Sequence, residues 1–544
     1  MPNNSSKFMR TKTLFFFLIV ALGCSTPPSN PTMEELLATV DGDSIKAHIA
    51  YLADDRLKGR LPGTPEYGIA VDYVIDQYEQ LGLSPGGDNG TYLQQVMIRK
   101  AIIDESNSSM TIENQNELVQ GEDYVFLGDL NADSNNVKAE TVFVGYGIKA
   151  PMLSHDDYEG KDVTGKIVVI ITGAPKAFPS TELAHFANYG TKFETAVRNG
   201  AVGVILTTPG ASAARFTTTV NRFRERGNTG IVSPEGESYG RRVFEPSLKF
   251  AALMNWSSMD KIIGTNTDEN WANYQEGLDF SFNSSILSVT TVSVHTDFTS
   301  PNVIGVLKGS DLGDEYVVHS AHLDHVGIGK PVANDSIYNG AHDNASGVAS
   351  LLEIARLYQK MGPKPRRSIM FVMVTAEEMG LLGSDYFTRY PTVDIKNIVA
   401  NVNTDMPTLI APLLSIEPLG AEHSSLMENV EGAADILDLE IMPDHMPEQV
   451  RFVRSDQYNF IRQGIPALHV KYGLKSIDSL TDLSGVINDY TKNVYHKPSD
   501  ELNDLFDFEA GEVYVRLNFL ISYSVANQDA RPTWNEGDFF GEQK

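Results

Sequence analysis

Cysteine is nearly absent: Cys24 is the only one in 544 residues. A disulfide framework is therefore excluded, and the fold must be held by its apolar core and by any metals it binds. Positive charge is also scarce, with 43 Lys and Arg against 71 Asp and Glu and a net charge of −28. Such a surface repels nucleic acid and anionic membranes, so neither is an expected partner, and a solvated acidic surface aids solubility. The apolar run from Leu14 to Leu22 is too short to span a bilayer comfortably as a mature helix. Internal repeats and charged low-complexity blocks are missing as well. What remains is a globular composition, 42% hydrophobic and 21% charged, in a chain long enough for two or three compact units.

The first residues read as a processing signal. Lys7, Arg10 and Lys12 form a positive start, the apolar run follows, and Gly23-Cys24 closes it. This arrangement resembles the lipobox of bacterial lipoproteins, in which the cysteine thiol is lipidated and becomes the new N-terminus. The resemblance implies a signal peptide over 1–23, lipidation at Cys24 and a tether over 24–32, rich in Ser, Pro and Asn. The expected location is the bacterial cell envelope, lipid-anchored and facing the periplasm or the surface. Membrane contact would come only through that anchor.

Residues 33–119 begin the first unit with a helical pattern, Ile45, Ile49 and Leu52 and then Ala70, Tyr73, Val74, Tyr78 and Leu81 making apolar stripes. Gly59 to Thr64 is a turn-rich connector. Residues 120–290 look like an inserted unit. The runs Val144 to Ile148, Val163 to Ile170 and Gly200 to Leu206, with a helix from Lys192 to Asn199, resemble the protease-associated domain, a small β-rich module. His155, Asp156 and Asp157 within it read as a turn with satisfied side chains. From 291 to 530 strands alternate with helices: Tyr316–Ala321, Ser368–Ala376, Ile398–Thr404 and Ile465–Val470 as strands, Ala345–Met361 as an amphipathic helix. The fold class expected is α/β, a mixed central sheet with helices on both faces plus the β-rich insert. The tail, 531–544, is polar and expected to fray.

Two histidines and three carboxylates stand at or next to strand ends and loops of this second part: His322, Asp343, Glu378, Asp405 and His496. In open α/β sheets loops at that edge converge on one crevice. Hard oxygen ligands mixed with imidazole suit a pair of zinc-like ions sharing a carboxylate. Asp343, in a loop running into a helix, is well placed to bridge them. Asp324, two residues after His322, is expected to accept the imidazole's other N–H and fix its tautomer. In Glu377-Glu378 the side chains diverge at a strand end, giving Glu378 to the metals and leaving Glu377 as general base.

The segments Ser320 to Gly327, Gly340 to Gly347, Ala376 to Ser384, Asn403 to Met406 and Tyr495 to Pro498 resemble the di-zinc aminopeptidase and glutamate carboxypeptidase family of metallopeptidases. The resemblance implies a zinc exopeptidase-like fold and two zinc ions. His322 and Asp405 would hold one ion, Glu378 and His496 the other, and Asp343 would bridge. His325 and His342 adjoin ligands at positions that carry no ligand in the family, and read as supporting residues. Ser455 to Phe460 resembles a further family segment in which His is common where Gln457 stands.

The implied reaction is hydrolysis of a peptide bond beside a free chain end. Glu377 would take the proton of a water bridging the metals, and Tyr495 would donate a hydrogen bond to the tetrahedral oxyanion. An aminopeptidase acting on peptides is the leading expectation. A carboxypeptidase or dipeptidase acting on acidic peptides stays open, because Arg451 and Arg454 lie near the pocket segment. So does a non-catalytic binding protein on the same fold. Oligomeric state is not readable.

Overall fold

The computed structural model describes Met1 and residues 30–542, apart from 115–117, 241, 243–246, 278–279, 408 and 478–480. Cys24 and the leader expected around it lie outside the described residues. Helix α1 (Gly42–Leu52) is followed by α2 (Pro65–Gln80). The second starts where Thr64 accepts the Tyr67 amide at 3.2 Å and Pro65 takes the first helical position. It buries Tyr67, Ala70, Val71, Val74 and Tyr78.

After β1 (Leu93–Ile103) the chain leaves the central sheet and builds a second one. That sheet contains β2 (Tyr124–Leu127), β3 (Ser134–Phe143), β4 (Ile167–Ile171), β5 (Gly203–Thr207) and β6 (Phe250–Met254), in the order β2-β6-β5-β4-β3. Both its faces are apolar: Val168, Ile170, Val204 and Leu206 point to one core, Ile167, Val169, Ile171 and Ile205 to another. Helix α3 (Ser180–Ala187) of this unit rests on the main body, where Ser180 donates to Asp444 at 2.8 Å and His185 pairs with the Tyr458 hydroxyl at 2.8 Å.

The long β7 (Ile286–Leu307) ties the two sheets together, pairing with β3 at its start and with β1 and the strand Arg367–Val374 further on. Then come β8 (Leu312–His322), helix α4 (Ser346–Lys360), β9 (Arg367–Val374), β10 (Ile398–Asn403), β11 (Ser415–Leu419), β12 (Ala467–Tyr472) and helix α5 (Phe508–Asn527). The central order is β1-β7-β9-β8-β10-β12-β11, with β9, β8, β10 and β12 parallel and the flanking pairings antiparallel. Alternation along the strands sends Val317, Ala321, Ile369, Phe371 and Met373 into one core and Val318, Met370, Val372 and Val374 into the opposite one. Helices α1, α2, α4 and α5 cover the first face. This is the mixed α/β sheet the sequence predicted. Among the described residues no helix is long and apolar enough to cross a membrane.

The polar tail does not fray as expected. Trp534 donates its indole N–H to the Gly464 carbonyl at 3.0 Å, and His423 pairs with Asp538 at 2.7 Å. Phe539 and Phe540 are buried, the latter 5.1 Å from the Phe452 ring. Three aromatic side chains in a polar context anchor the segment, because each buries a large apolar area whatever its neighbours are. Phe540→Ala should therefore lower the unfolding free energy by about 3 kcal/mol. Denaturant unfolding measures this, and a change below about 0.5 kcal/mol would mean the tail is not packed.

Candidate metal centre

The five predicted ligands converge at the carboxyl ends of the parallel strands. His322 ends β8, Glu378 and Asp405 follow β9 and β10, Asp343 sits in the loop before α4, and His496 comes from the segment before α5. His322 Nε2 lies 3.2 Å from Asp343 Oδ1 and 3.4 Å from Asp405 Oδ1. His496 Nε2 lies 3.0 Å from Asp343 Oδ2 and 3.0 Å from Glu378 Oε1. Asp343 thus turns one oxygen to each cluster, as a bridging carboxylate must. The second cluster also contains His325, which sequence reasoning set aside.

These atoms are close without being hydrogen-bonded. His322 Nε2, Glu378 Oε1, Asp405 Oδ1 and His325 Nδ1 are all buried and lack any hydrogen-bond partner. Buried lone pairs facing one another in this way are unfavourable unless a cation lies between them. His322 Nδ1 donates to the Asp324 carbonyl at 3.1 Å, which leaves the Nε2 lone pair free for a metal. The donor set of imidazole and carboxylate suits zinc. The residues fit two ions.

Asp324 acts differently from the sequence expectation. Its carboxylate stands 3.9 Å from His322 Nδ1, too far for a hydrogen bond, because the main-chain carbonyl of the same residue occupies that nitrogen. The carboxylate instead accepts the amides of Glu377 at 3.1 Å and Glu378 at 3.4 Å. It therefore fixes the turn that separates those two glutamates.

Other clamps went unread in the sequence. Arg60, fully buried in the Gly59-to-Thr64 connector, donates to the carbonyls of Leu52, Leu323, Asn339 and Gly340 at 2.5–3.0 Å. It joins the loop after His322 to the loop carrying Asp343. Burial lowers the Arg60 guanidinium to about 10, still charged at neutral pH. Asp500 accepts the amides of His342 and Asp343, each at 3.0 Å. Asn344 donates to the Thr404 carbonyl at 2.9 Å and accepts the Met406 amide at 3.2 Å, tying the bridging loop to Asp405. His469 and Lys471 donate to the Asp405 carbonyl at 2.9 and 2.6 Å. The only signals for these clamps were residues of ordinary type, in turn-rich segments or, for His469 and Lys471, in a strand. Ala376, Met406 and His496, each in or beside a ligand segment, hold left-handed backbone at φ 54°, 46° and 54°, which persists only where surroundings over-determine it.

Glu377 lies beside the ligands but outside both clusters. It lines a cavity of ≈ 90 Å³ with Asp343, Asp405, Arg454, Lys471 and Tyr495. Burial raises the Glu377 carboxyl well above its ordinary range; His322 opposes this, while Glu378 and Asp405 add to it. Two divalent cations beside it would pull it back towards the ionised form. Burial also opposes ionisation of Asp405, but Lys471 and His322 outweigh it and hold that carboxyl low. The Tyr495 ring stacks on His496 with centroids 3.9 Å apart, and its hydroxyl accepts from Arg454 Nη2 at 3.2 Å. His342 donates to the Pro407 carbonyl at 2.7 Å, a supporting role as expected. Gln457 donates to the Phe452 carbonyl at 2.7 Å and accepts from Asn403, away from the ligand clusters. His155 pairs with Asp157 at 3.1 Å and belongs to no metal-competent group among the described residues.

The edge of the parallel sheet thus carries two donor sets that share one carboxylate, each able to hold a metal ion. Residues 302–513 match the sequence pattern of Peptidase family M28. Over 127 residues, 22% of this chain and 16% of the relative, it is 39% identical to "Aminopeptidase NAALADL1" of Mus musculus. Over 218 residues it is 26% identical to "Aminopeptidase YwaD" of Bacillus subtilis (strain 168), covering 39% of this chain and 41% of that one. The chain thus spans less than half the length of these relatives. The solved structure of the aminopeptidase from Aneurinibacillus sp. strain AM-1 aligns over 92% of this chain and 97% of its own, with a TM-score of 0.52 and 20% identity. At that identity the likeness is one of fold.

The clamp on the bridging loop generates a prediction. Asp500→Asn keeps the volume but turns an amide group towards one of the two backbone N–H donors. Metal affinity should fall 10- to 100-fold, as measured by competition with a chromophoric chelator. An unchanged affinity would show that the loop is held without Asp500.

Proposed function

We propose that the chain is a zinc-dependent exopeptidase, an aminopeptidase that releases N-terminal residues from peptides. The observation that carries this reading is the geometry of Asp343, whose two oxygens face separate donor sets beside the cavity that Glu377 lines. The names of the mouse and Bacillus relatives support the same activity.

Bound at these residues, two zinc ions would polarise the scissile carbonyl and acidify the attacking water. Glu377 then takes the proton from that water and returns it to the leaving amine. Arg454 donates to the Tyr495 oxygen, which leaves the phenolic hydrogen free to donate to the developing oxyanion. The cavity, at ≈ 90 Å³, falls well below the several hundred Å³ of a typical ligand pocket.

A second reading rests on a separate observation. Arg451, Arg454 and Lys471 line the cavity, and a carboxylate-bearing substrate would suit them. Arg451 is already engaged by Glu417 and Asp444, which weakens its pull on a ligand. The carboxypeptidase or dipeptidase alternative therefore depends mainly on Arg454 and Lys471. Turnover of aminoacyl-anilides exceeding that of N-blocked acidic dipeptides is the expected result, and the reverse would favour the alternative.

The insert, read as a protease-associated domain, would border the substrate's path. Supporting this, a cleft of ≈ 290 Å³ is lined by Ala184, Tyr189 and Arg222 of the insert and by Met379, Gly380 and Arg454 beside the metals. The leader residues Lys7, Arg10 and Lys12 and the Gly23-Cys24 pair support lipid anchoring in a bacterial envelope. Labelled palmitate should enter the expressed protein and be lost in Cys24→Ser.

The general-base assignment has its own test. Glu377→Gln should reduce kcat by about 10²- to 10⁴-fold while metal analysis still finds both zinc ions. Near-normal turnover in that variant would remove Glu377 from the mechanism.

A further inference from the structure

We propose that His325 is a fourth protein ligand of the ion held by Glu378 and His496, so that the two metal sites are unequal. This rests on the dinuclear reading above and goes beyond it, since the family resemblance supplies no ligand at this position.

His325 is fully buried and lies three residues after His322 on the same strand-end loop. Its Nδ1 is 2.9 Å from Glu378 Oε1 and 3.9 Å from Asp343 Oδ2. The same two oxygens are each 3.0 Å from His496 Nε2. Ligand atoms of His325, Asp343, Glu378 and His496 all lie within 4.8 Å of one another. Four donors at zinc bond lengths of about 2.0–2.1 Å stand about 3.3 Å apart in a tetrahedron, within the range seen here.

The contact with Glu378 is not a hydrogen bond. Despite the 2.9 Å separation, neither His325 ring nitrogen nor Glu378 Oε1 has a partner in hydrogen-bonding geometry. An imidazole lone pair and a carboxylate lone pair are therefore turned towards common space. By contrast the nearby His342 and His469 each donate to a carbonyl, at 2.7 and 2.9 Å, and are accounted for by structure alone.

The backbone also makes room for this ring. Gly340 holds φ +63°, and a Cβ built on it would fall 2.5 Å from His325 Cγ. The imidazole packs against the glycine of the loop that carries Asp343, in space that a side chain there would take. The His325 amide donates to the Arg60 carbonyl at 3.3 Å, so the same clamp that positions His322 positions this residue.

The consequence is a division of labour. His325, Asp343, Glu378 and His496 give one site four protein donors, to which a shared water would add as a fifth ligand, whereas His322, Asp343 and Asp405 give the other site three. Metal should therefore load in two steps, the four-donor site first.

The test uses the full chain, freed of metal and titrated with Co²⁺. In the doubly loaded protein, proton NMR should show three hyperfine-shifted, exchangeable imidazole N–H signals, from His322, His325 and His496. Chelator competition should give two dissociation constants, and His325→Ser should weaken the tighter at least tenfold. Two imidazole signals in the unmodified chain, or a tighter constant unchanged within twofold in the variant, would overturn the assignment. The NMR count needs no variant, so misfolding of His325→Ser leaves a decisive result. Failure to take up Co²⁺ at all would instead defeat the dinuclear reading on which the proposal rests.

Discussion

Everything around the carboxyl edge of the parallel strands answers to one electrostatic constraint: carboxylates must be kept close together away from water. Asp343, Glu378 and Asp405 converge with His322 and His496 at separations near 3 Å, and Glu377 stands beside them. Coulomb repulsion among buried anions would scatter this group unless cations sat among them. Asp343 resolves the arrangement by offering one oxygen to each donor set. The fold supplies the rest, since parallel strands with apolar residues on both faces deliver their ends to one crevice.

Positioning then passes to charged side chains that hold the backbone of the ligand loops. Arg60 and Asp500 work as a complementary pair. The cation gathers carbonyls from the loops carrying His322 and Asp343. The anion gathers amides from the loop carrying Asp343. Asp324 does the same for the Glu377-Glu378 turn, presenting one glutamate to the donor cluster and the other to the cavity. A site is only as accurate as this supporting layer.

The sequence revealed the ligands more readily than their supports. Ile369–Val374 is a continuous apolar run and Ile398–Asn403 a largely apolar one, and typed residues at their ends stand out. His322, Asp343, Glu378, Asp405 and His496 could be picked for that reason. Arg60 looked like a turn residue because nothing local says that four distant carbonyls converge on it. His325 was set aside by resemblance, whereas its placement beside Glu378 depends on a contact across two loops. The tail misled through composition: Trp534, Phe539 and Phe540 are few, but aromatic anchors are few wherever they act. Long-range contacts are what local pattern cannot carry.

The central claim is that Asp343 joins two metal ions, and diffraction from zinc-loaded crystals at the zinc absorption edge tests it most directly. Two anomalous peaks should flank the Asp343 carboxylate, about 3.5–4 Å apart, one beside His322 and Asp405 and the other beside Glu378 and His496. A single peak, or a second one lying away from Asp343, would contradict the account.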